Sequence, residues 1–168
     1  RYRLPAETIR DNALAISGLL RTSYGGASAK PYQPLGYYKH LNFPGRKYAH
    51  HADDRQWRRG VYVHWQRQFL HPMLRAFDAP TREECTAERP RSNTPIAAMT
   101  LLNDPSFVEA ARVFSARILS EGGPSIDDRL EFIYREALSR KPDEKERHIM
   151  KHLVSMATQE FQSNPAAA

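Results

Sequence analysis

The sequence has 168 residues, 40% of them hydrophobic, and carries 25 Lys and Arg against 19 Asp and Glu, a net charge of +6. This length and apolar content predict one folded domain over residues 1–164, with residues 165–168 as a tail. The single cysteine excludes an internal disulfide and a Cys-based zinc cage, and the lack of any apolar run of about 18 residues excludes a transmembrane helix.

Positive charge is concentrated in residues 46–67. This stretch holds six Arg or Lys residues against two Asp residues, a local charge of +4, with three histidines and two tryptophans. A surface that binds nucleic acid or another polyanion is one interpretation. We favour a solvated basic face, because no nucleic-acid-binding motif accompanies the stretch, and we do not expect nucleic acid as a partner.

The first predicted element is an amphipathic helix over residues 4–20. Its apolar side chains recur at helical spacing and are predicted to face the core: Ile9, Ala13, Ile16 and Leu20. Residues 21–54 follow as a long irregular arm, because glycines and prolines interrupt every regular pattern. Five of the eight tyrosines fall in the arm. Disordered chains are poor in aromatics, so we expect a packed arm, either as apolar covering, which we favour, or as a platform for a ligand such as a sugar ring.

Residues 55–69 are predicted as a second helix. Large side chains recur there every four residues: Trp57, Val61, Trp65 and Phe69. A strand through residues 61–65 is the alternative, since aromatic and β-branched residues favour strands. Gly60 disfavours both. A short turn over residues 72–76 follows.

Two helix starts come in succession at Thr94-Pro95 and Asp104-Pro105. Each pairs an N-capping side chain with a proline at the first helical position, where the missing N–H group is not needed. We predict helices over residues 95–102 and 105–120. The side chains predicted to face inward are Ile96, Met99 and Leu102 in the first helix, and Phe107, Ala111, Phe114 and Ile118 in the second.

Two more helices are predicted over residues 126–139 and 142–161. Ser125-Ile-Asp-Asp128 resembles a capping box, and Pro142 opens the last helix. The apolar side chains predicted to face the core are Leu130, Ile133, Tyr134, Ala137 and Leu138, then Ile149, Leu153, Met156, Ala157 and Phe161. The predicted fold is all-α, a compact bundle of five or six helices with a long irregular Tyr/Pro-rich arm.

Five runs of the sequence carry a resemblance to a known family. In chain order they are RYRLPAETIRDNALAISG, GGASAKPYQP, RRGVYVHWQR, FDAPTREECTAERPRSNTPIAAMTLLNDPSFVEAAR and FIYREALSRKPDEKE. They resemble the C-terminal part of the planctomycete-type domain of unknown function (PSD family) found beside cytochrome-c-like modules in large exported proteins. The resemblance implies export to the periplasm or cell envelope, upstream domains of the same polypeptide as partners, and redox or polysaccharide-related assemblies. It supplies no catalytic residues.

Cys85, the only cysteine, is the candidate nucleophile. Such a role needs a nearby base or cation that lowers the thiol pKa, and His64 and Asp78 are the candidates that would have to converge on it. The alternative is a buried cysteine that packs as a small apolar side chain, and we favour it.

The strongest candidate for ligand binding is the connector that leads into the helix at residue 95. Its polar side chains are Arg89, Arg91, Asn93 and Thr94, and arginines beside free N–H groups of a helix start can bind a sulfate, phosphate or carboxylate. Trp65 is a further candidate as an exposed aromatic contact. The alternative, which we slightly favour, is that the arginines pair internally with Asp78, Glu83, Glu84 or Asp104 and fix the turn.

No cofactor is expected. Covalent haem attachment needs C-x-x-C-H, which one cysteine cannot supply. His148 and His152 have a workable metal-ligand spacing, and so do His50, His51, Asp53 and Asp54. Each set lacks a further ligand, and a surface position is the simpler interpretation.

We therefore expect a non-catalytic interaction or ligand-binding module of a larger cell-envelope protein, with an acidic or sulfated saccharide as a possible ligand of the connector. The alternatives are part of an enzyme with a site around Cys85, His64 and Asp78, or a polyanion-binding module.

Overall fold

The structure, a computed structural model, describes residues 3–39, 45, 47–67 and 69–164. Within these residues it contains six α-helices and no sheet. The helices are α1 (Ala6–Ser17), α2 (Pro72–Ala76), α3 (Pro95–Asn103), α4 (Pro105–Glu121), α5 (Ile126–Leu138) and α6 (Glu144–Ser163). The all-α fold class is confirmed. No helix in the described part of the chain has both the length and the apolar character needed to cross a bilayer.

The internal contacts divide the chain into two compact units, Arg1–Val113 (unit 1) and Phe114–Ala168 (unit 2). The boundary lies inside α4. The single domain over residues 1–164 stays a prediction, and the predicted tail over residues 165–168 lies outside the described residues.

The core of unit 1 draws one or more side chains from each of its helices. Its buried members are Ala6, Val63, Leu70, Met73, Leu74, Phe77, Ala97 and Phe107. Phe77 and Phe107 meet edge to face, with their ring centroids 6.0 Å apart. Such an arrangement places the positive edge of one ring against the negative face of the other.

Helix α1 buries a different face from the predicted one. Ala6, Arg10, Leu14 and Ser17 are buried, whereas Ile9 and Ala13 are only partly buried beside the core. The prediction failed because it excluded Arg10, whose guanidinium reaches main-chain carbonyls inside unit 1. The helix ends at Gly18, whose φ of 83° is the left-handed conformation that glycine adopts without a steric penalty.

The predicted helix over residues 55–69 is wrong. The described residues form two single-turn 3₁₀ helices, Asp54–Trp57 and Gly60–Tyr62, and isolated bridges. Their main-chain groups bond to the arm: Ala29 N–H donates to the carbonyl of Tyr62 and His64 N–H donates to the carbonyl of Ala29, both at 2.7 Å. Groups that bond to the arm are not available to a helix ladder, so regular α-helix does not form.

The described part of the arm is packed against the rest of unit 1 at some positions, whereas Tyr24 is 82% exposed. Ala29, Pro31 and Gln33 are buried. The guanidinium of Arg58 donates to the carbonyls of Ser23, Gly25 and Ala27, so one side chain holds a five-residue segment of irregular backbone. Residues 40–44 and 46 of the arm lie outside the described residues.

Helices α3 and α4 follow each other as predicted, with one residue between them. Thr94 Oγ1 accepts from Ala97 N–H at 3.2 Å, and Asp104 Oδ1 accepts from Ser106 N–H at 2.9 Å. The predicted inward faces are wrong in large part. Ile96, Met99 and Leu102 are 68%, 59% and 72% exposed, and Ala97 is buried in their place; in α4, Phe107 is buried but Ala111 is exposed.

Unit 2 contains the helix pair α5 and α6, each opened by a capping box. Among its described residues, Leu130 and Pro142 are the buried apolar side chains, and the rings of Phe114 and Phe132 stack with their centroids 6.4 Å apart. Other side chains predicted to face the core are exposed: Leu138, Ile149, Leu153, Met156 and Phe161. The faces were predicted from spacing, which marks the apolar side of a helix but does not show that another segment covers it; none of the residues of α6 is buried.

Candidate functional site

The connector between α2 and α3 is organised by the carboxylate of Asp78. Its Oδ2 accepts from Arg3 Nη2 at 2.5 Å, from Ser92 N–H at 2.7 Å and from Ser92 Oγ at 2.8 Å. The hydrogen bond from the Ser92 main chain, assisted by the Arg3 charge, lowers the pKa of Asp78. The carboxylate is therefore ionised and ties the start of the connector to its end.

The arginines of the connector have different surroundings. Arg89 Nη1 donates to both carboxylate oxygens of Glu7, at 3.1 and 3.2 Å, so internal pairing occurs with a residue of α1 that the sequence analysis did not name. Arg91 is exposed and has no hydrogen-bond partner in the described part of the chain. Thr94 uses its hydroxyl oxygen to cap α3, and Asn93 is exposed.

A small cavity of about 20 Å³ lies among Arg3, Arg89 and Arg91 at the start of α1. The Nε and Nη1 atoms of Arg3 are buried and have no hydrogen-bond partner among the described protein groups. The volume suits a single water-sized group. The cavity therefore offers cationic donors to one oxygen of a larger anion placed at its mouth.

A larger groove of about 1030 Å³ lies in unit 1 between the arm, α2 and α3. Its walls include Tyr32 and Tyr37 from the arm, Met73 and Arg75 from α2, and Ile96 and Met99 from α3. Two of the three exposed side chains that contradicted the predicted inward face of α3, Ile96 and Met99, are part of this wall, whereas Leu102 is not. Asp78 and Asp104 also border the groove, and both carboxylates already accept hydrogen bonds within the protein.

The comparison with family models identifies the chain. A model described as PSD1, protein of unknown function (DUF1553), matches residues 1–154. The chain belongs to the PSD1 family. No curated protein and no solved structure matches it. The match confirms the resemblance to a domain of unknown function and leaves the cytochrome-c context as a prediction.

The candidate catalytic residues of this PSD1 chain have separate surroundings. Cys85 is exposed, contrary to the buried position that we favoured, and makes no hydrogen bond to a histidine of the described chain. Asp78 is engaged by Arg3 and Ser92, and the His64 ring lies 6.3 Å from that of Tyr48. The enzyme alternative stays a prediction.

Trp65 is half-buried against the core of unit 1, and Arg82 covers its ring. The guanidinium carbon of Arg82 lies 3.9 Å from the ring centroid, a cation–π contact, and the indole Nε1 atom is buried without a hydrogen-bond partner in the described chain. Arg82 therefore lies over one face of the tryptophan ring, and a role of Trp65 in ligand binding stays a prediction.

Three arginines of the basic stretch of this PSD1 chain make contacts within the described residues. Arg55 pairs with Asp53, Arg59 lies near Asp11, and the buried Arg58 bonds to carbonyls. Arg46 lies outside the described residues. Among those that are described, no three side chains of His, Cys, Asp or Glu gather as metal ligands.

The sequence analysis missed two buried polar side chains that hold unit 1 together. Arg10 donates to the carbonyls of Arg58 and Gln56, and burial lowers its pKa to about 10. His71 Nε2 lies 2.7 Å from the carbonyl of Tyr32, and its Nδ1 accepts from Met73 N–H. The sequence did carry one signal for Arg10. It follows Ile9 directly in α1, so it lies beside the apolar face of that helix.

The groove was also missed, although α3 carried a signal for it. Its apolar residues surround the helix rather than forming one stripe: Ile96, Met99, Leu101 and Leu102. A helix that is apolar on all sides needs burial on all sides. In unit 1 only the side of Ala97 is buried.

Proposed function

We propose that this PSD1 chain is a non-catalytic interaction module of a larger exported protein, and that the groove is its binding surface. The observation that carries the proposal is the apolar wall of the groove, on which Ile96 and Met99 are 68% and 59% exposed. Concave surfaces of this kind, mostly apolar with a few polar groups, are typical of binding sites.

The polar groups beside the groove favour binding over catalysis. Asp78 holds the connector, Asp104 caps α4 and Thr94 caps α3. Each has a structural role that a general acid or base would have to give up. A location in the periplasm or cell envelope, with partners among upstream domains and in redox or polysaccharide-related assemblies, is part of the same proposal and rests on the family resemblance.

An apolar fluorescent probe tests the proposal. We expect anilinonaphthalene sulfonate to bind the folded chain with increased emission, and Ile96→Asp to reduce that emission by about fivefold or more, because a carboxylate would be placed in the apolar wall. Val61→Asp is the matched control, since Val61 is 63% exposed and lies outside the groove wall. Equal emission from the two variants would contradict the proposal.

A second candidate function is the binding of an acidic or sulfated saccharide at the connector. The buried, unpartnered Nε and Nη1 atoms of Arg3 beside the exposed Arg91 favour it. We expect a heparin disaccharide to bind in calorimetry with an affinity that falls as salt rises, and Arg91→Ala to remove the binding while Arg67→Ala retains it. Equal loss in both variants would instead indicate diffuse attraction to the basic surface, as the polyanion alternative requires.

A further inference from the structure

The groove has the form of a linear channel along α3. The helix spans nine residues, Pro95–Asn103, and is therefore about 13 Å long. Ile96, Met99 and Asn103 are spaced i, i+3 and i+7, so they share one face, and all three border the groove. The groove thus follows α3 along its whole length, with an apolar wall at Ile96 and Met99 and a polar end at Asn103.

The charges on the wall are not balanced. Arg75 of α2 borders the groove, is exposed, and has no carboxylate within ion-pair distance in the described chain. The acidic neighbours do not offset it, because both are engaged elsewhere. Asp78 is bound by Arg3 and Ser92, and Asp104 accepts from Ser106 N–H and interacts with the charge of Arg10. The charge left for an occupant is therefore positive.

We propose that the groove binds an amphipathic helix of a partner protein, whose apolar stripe packs on Ile96 and Met99 and whose carboxylate side chain pairs with Arg75. This inference rests on the proposed function and names the partner's chemistry. Helices dock into apolar grooves through side chains at i, i+3, i+4 and i+7, the same spacing that lines this wall. Methionine side chains adapt to such partners because they are flexible and polarizable.

A small ligand fits the groove less well than a helix. Pockets for small molecules measure about 300–1,000 Å³ and enclose most of the ligand. The volume of this groove, about 1030 Å³, is at the upper end of that range, but the groove is open to solvent and does not enclose its occupant. An open channel would leave much of a fatty acid or a similar amphiphile in contact with water, whereas a helix needs only one face covered.

Two synthetic peptides of about 14 residues, roughly four helical turns, test the inference. Both carry leucines at helical spacing; one has glutamates and the other lysines beside the apolar stripe. We expect fluorescence anisotropy to show that the chain binds the glutamate peptide about tenfold more tightly, a difference of about 1.4 kcal/mol. Arg75→Glu should reverse the preference and Arg75→Gln should abolish it. Val61→Asp should change neither affinity, and circular dichroism checks that each variant is folded.

Other outcomes separate this inference from the proposed function. Equal binding of the two peptides, or a preference that Arg75→Glu leaves unchanged, would overturn the acidic helix while probe binding still supports the groove. If sedimentation velocity shows a dimer and Ile96→Asp dissociates it, the occupant is a second copy of this chain. If micromolar laurate displaces the glutamate peptide, the occupant is a small amphiphile. Either result overturns the inference. If Ile96→Asp weakens neither probe nor peptide, the proposed function fails as well.

Discussion

Buried basic side chains replace regular secondary structure in unit 1. Arg10 is fully buried and Arg58 is 7% exposed, and both donate to main-chain carbonyls of irregular segments. Buried carbonyls need donors, and where no ladder supplies them a planar guanidinium can serve two or three at once. Arg58 also lies over the ring of Tyr62 at 4.1 Å, which keeps part of its charge in contact with a polarizable surface.

His71 should make the stability of the chain depend on pH. Burial lowers its pKa from 6.5 to about 4. Nδ1 accepts a hydrogen bond from the N–H of Met73, and protonation of Nδ1 would break that hydrogen bond. The unfolded chain therefore takes up a proton between pH 6.5 and 4 that the folded chain does not. Above pH 6.5 the contribution of neutral His71 to the free energy of unfolding is fully present. We expect the free energy of unfolding to fall by about 3 kcal/mol as the pH falls from 6.5 to 4.

Urea unfolding of the wild type and of His71→Gln at several pH values measures this effect. Glutamine does not titrate, so the variant should be less stable at neutral pH and should lose less stability on acidification. The other histidines and the carboxylates are the same in both chains, so the difference between the two slopes isolates His71. If the free energy of unfolding depends on pH equally in the two chains, the pKa of His71 is not lowered in the folded state.

Between α3 and α4, a single residue ends one helix and begins the next. Asp104 N–H donates to the carbonyl of Thr100, while its side chain accepts from Ser106 N–H. We expect Asp104→Ala to lower the free energy of unfolding by about 1 kcal/mol, measured by urea titration, because one main-chain donor of α4 loses its partner. Asp104→Asn keeps a capping oxygen and should retain most of the stability. Equal losses in the two variants would show that the cap is not the cause.

The contact between α1 and the 3₁₀ turn at Gly60 depends on the missing side chain of that glycine. A Cβ there would lie 2.8 Å from both the Cα and the carbonyl oxygen of Glu7, which are main-chain atoms that cannot rotate away. We expect Gly60→Ala to destabilise the chain by about 2 kcal/mol in urea unfolding. Gly45→Ala is the control, since a Cβ at Gly45 meets nothing within 4 Å. A stable Gly60→Ala variant would refute the close approach.

The starts of α3, α4 and α5 were predictable from local chemistry, whereas α6 begins at Glu144 and not at the predicted Pro142, and the buried faces were not predictable. Proline with a capping side chain placed the starts of α3 and α4 correctly, because capping involves neighbours within four residues. The inward face of α3 and the helix over residues 55–69 were wrong, because both depend on segments far away in sequence. Gly60 packs on Glu7, and Arg58 bonds to the arm.

At the scale of the whole molecule, the two units differ in the size of their cores. Among the described residues, all the buried apolar side chains belong to unit 1 except Leu130 and Pro142. Buried apolar area is the main favourable term in folding, so unit 1 has far more of it to hold its structure. We therefore expect the helices of unit 2 to unfold before the core of unit 1.

Two spectroscopic signals can separate the units. Both tryptophans, Trp57 and Trp65, lie in unit 1, whereas α5 and α6 supply a large part of the helical signal. We expect the far-UV circular dichroism to decrease at lower urea than the tryptophan fluorescence changes. Superimposable transitions would indicate that the chain unfolds as one cooperative unit, as the single-domain prediction requires.

The sequence analysis named the polar residues of the connector, but it did not predict which residues they contact. Arg89 and Asp78 were both named, but their partners Glu7 and Arg3 are more than 70 residues away in the chain. Cys85 and His64 were named for their chemistry, and the folded chain shows no hydrogen bond between them in its described residues. A list of reactive residue types says which chemistry is available, whereas distances between them come only from the fold.

The sequence by itself determined the helical class, the tandem proline-opened helices and membership of a family, because capping and helical spacing act over a few residues and family motifs are local strings. Only the tertiary structure decided which faces are buried, which arginines are held inside, and that an apolar groove runs along α3. These outcomes depend on which distant segments meet. Burial is a property of pairs of surfaces, and a single stretch of sequence specifies only one surface of each pair.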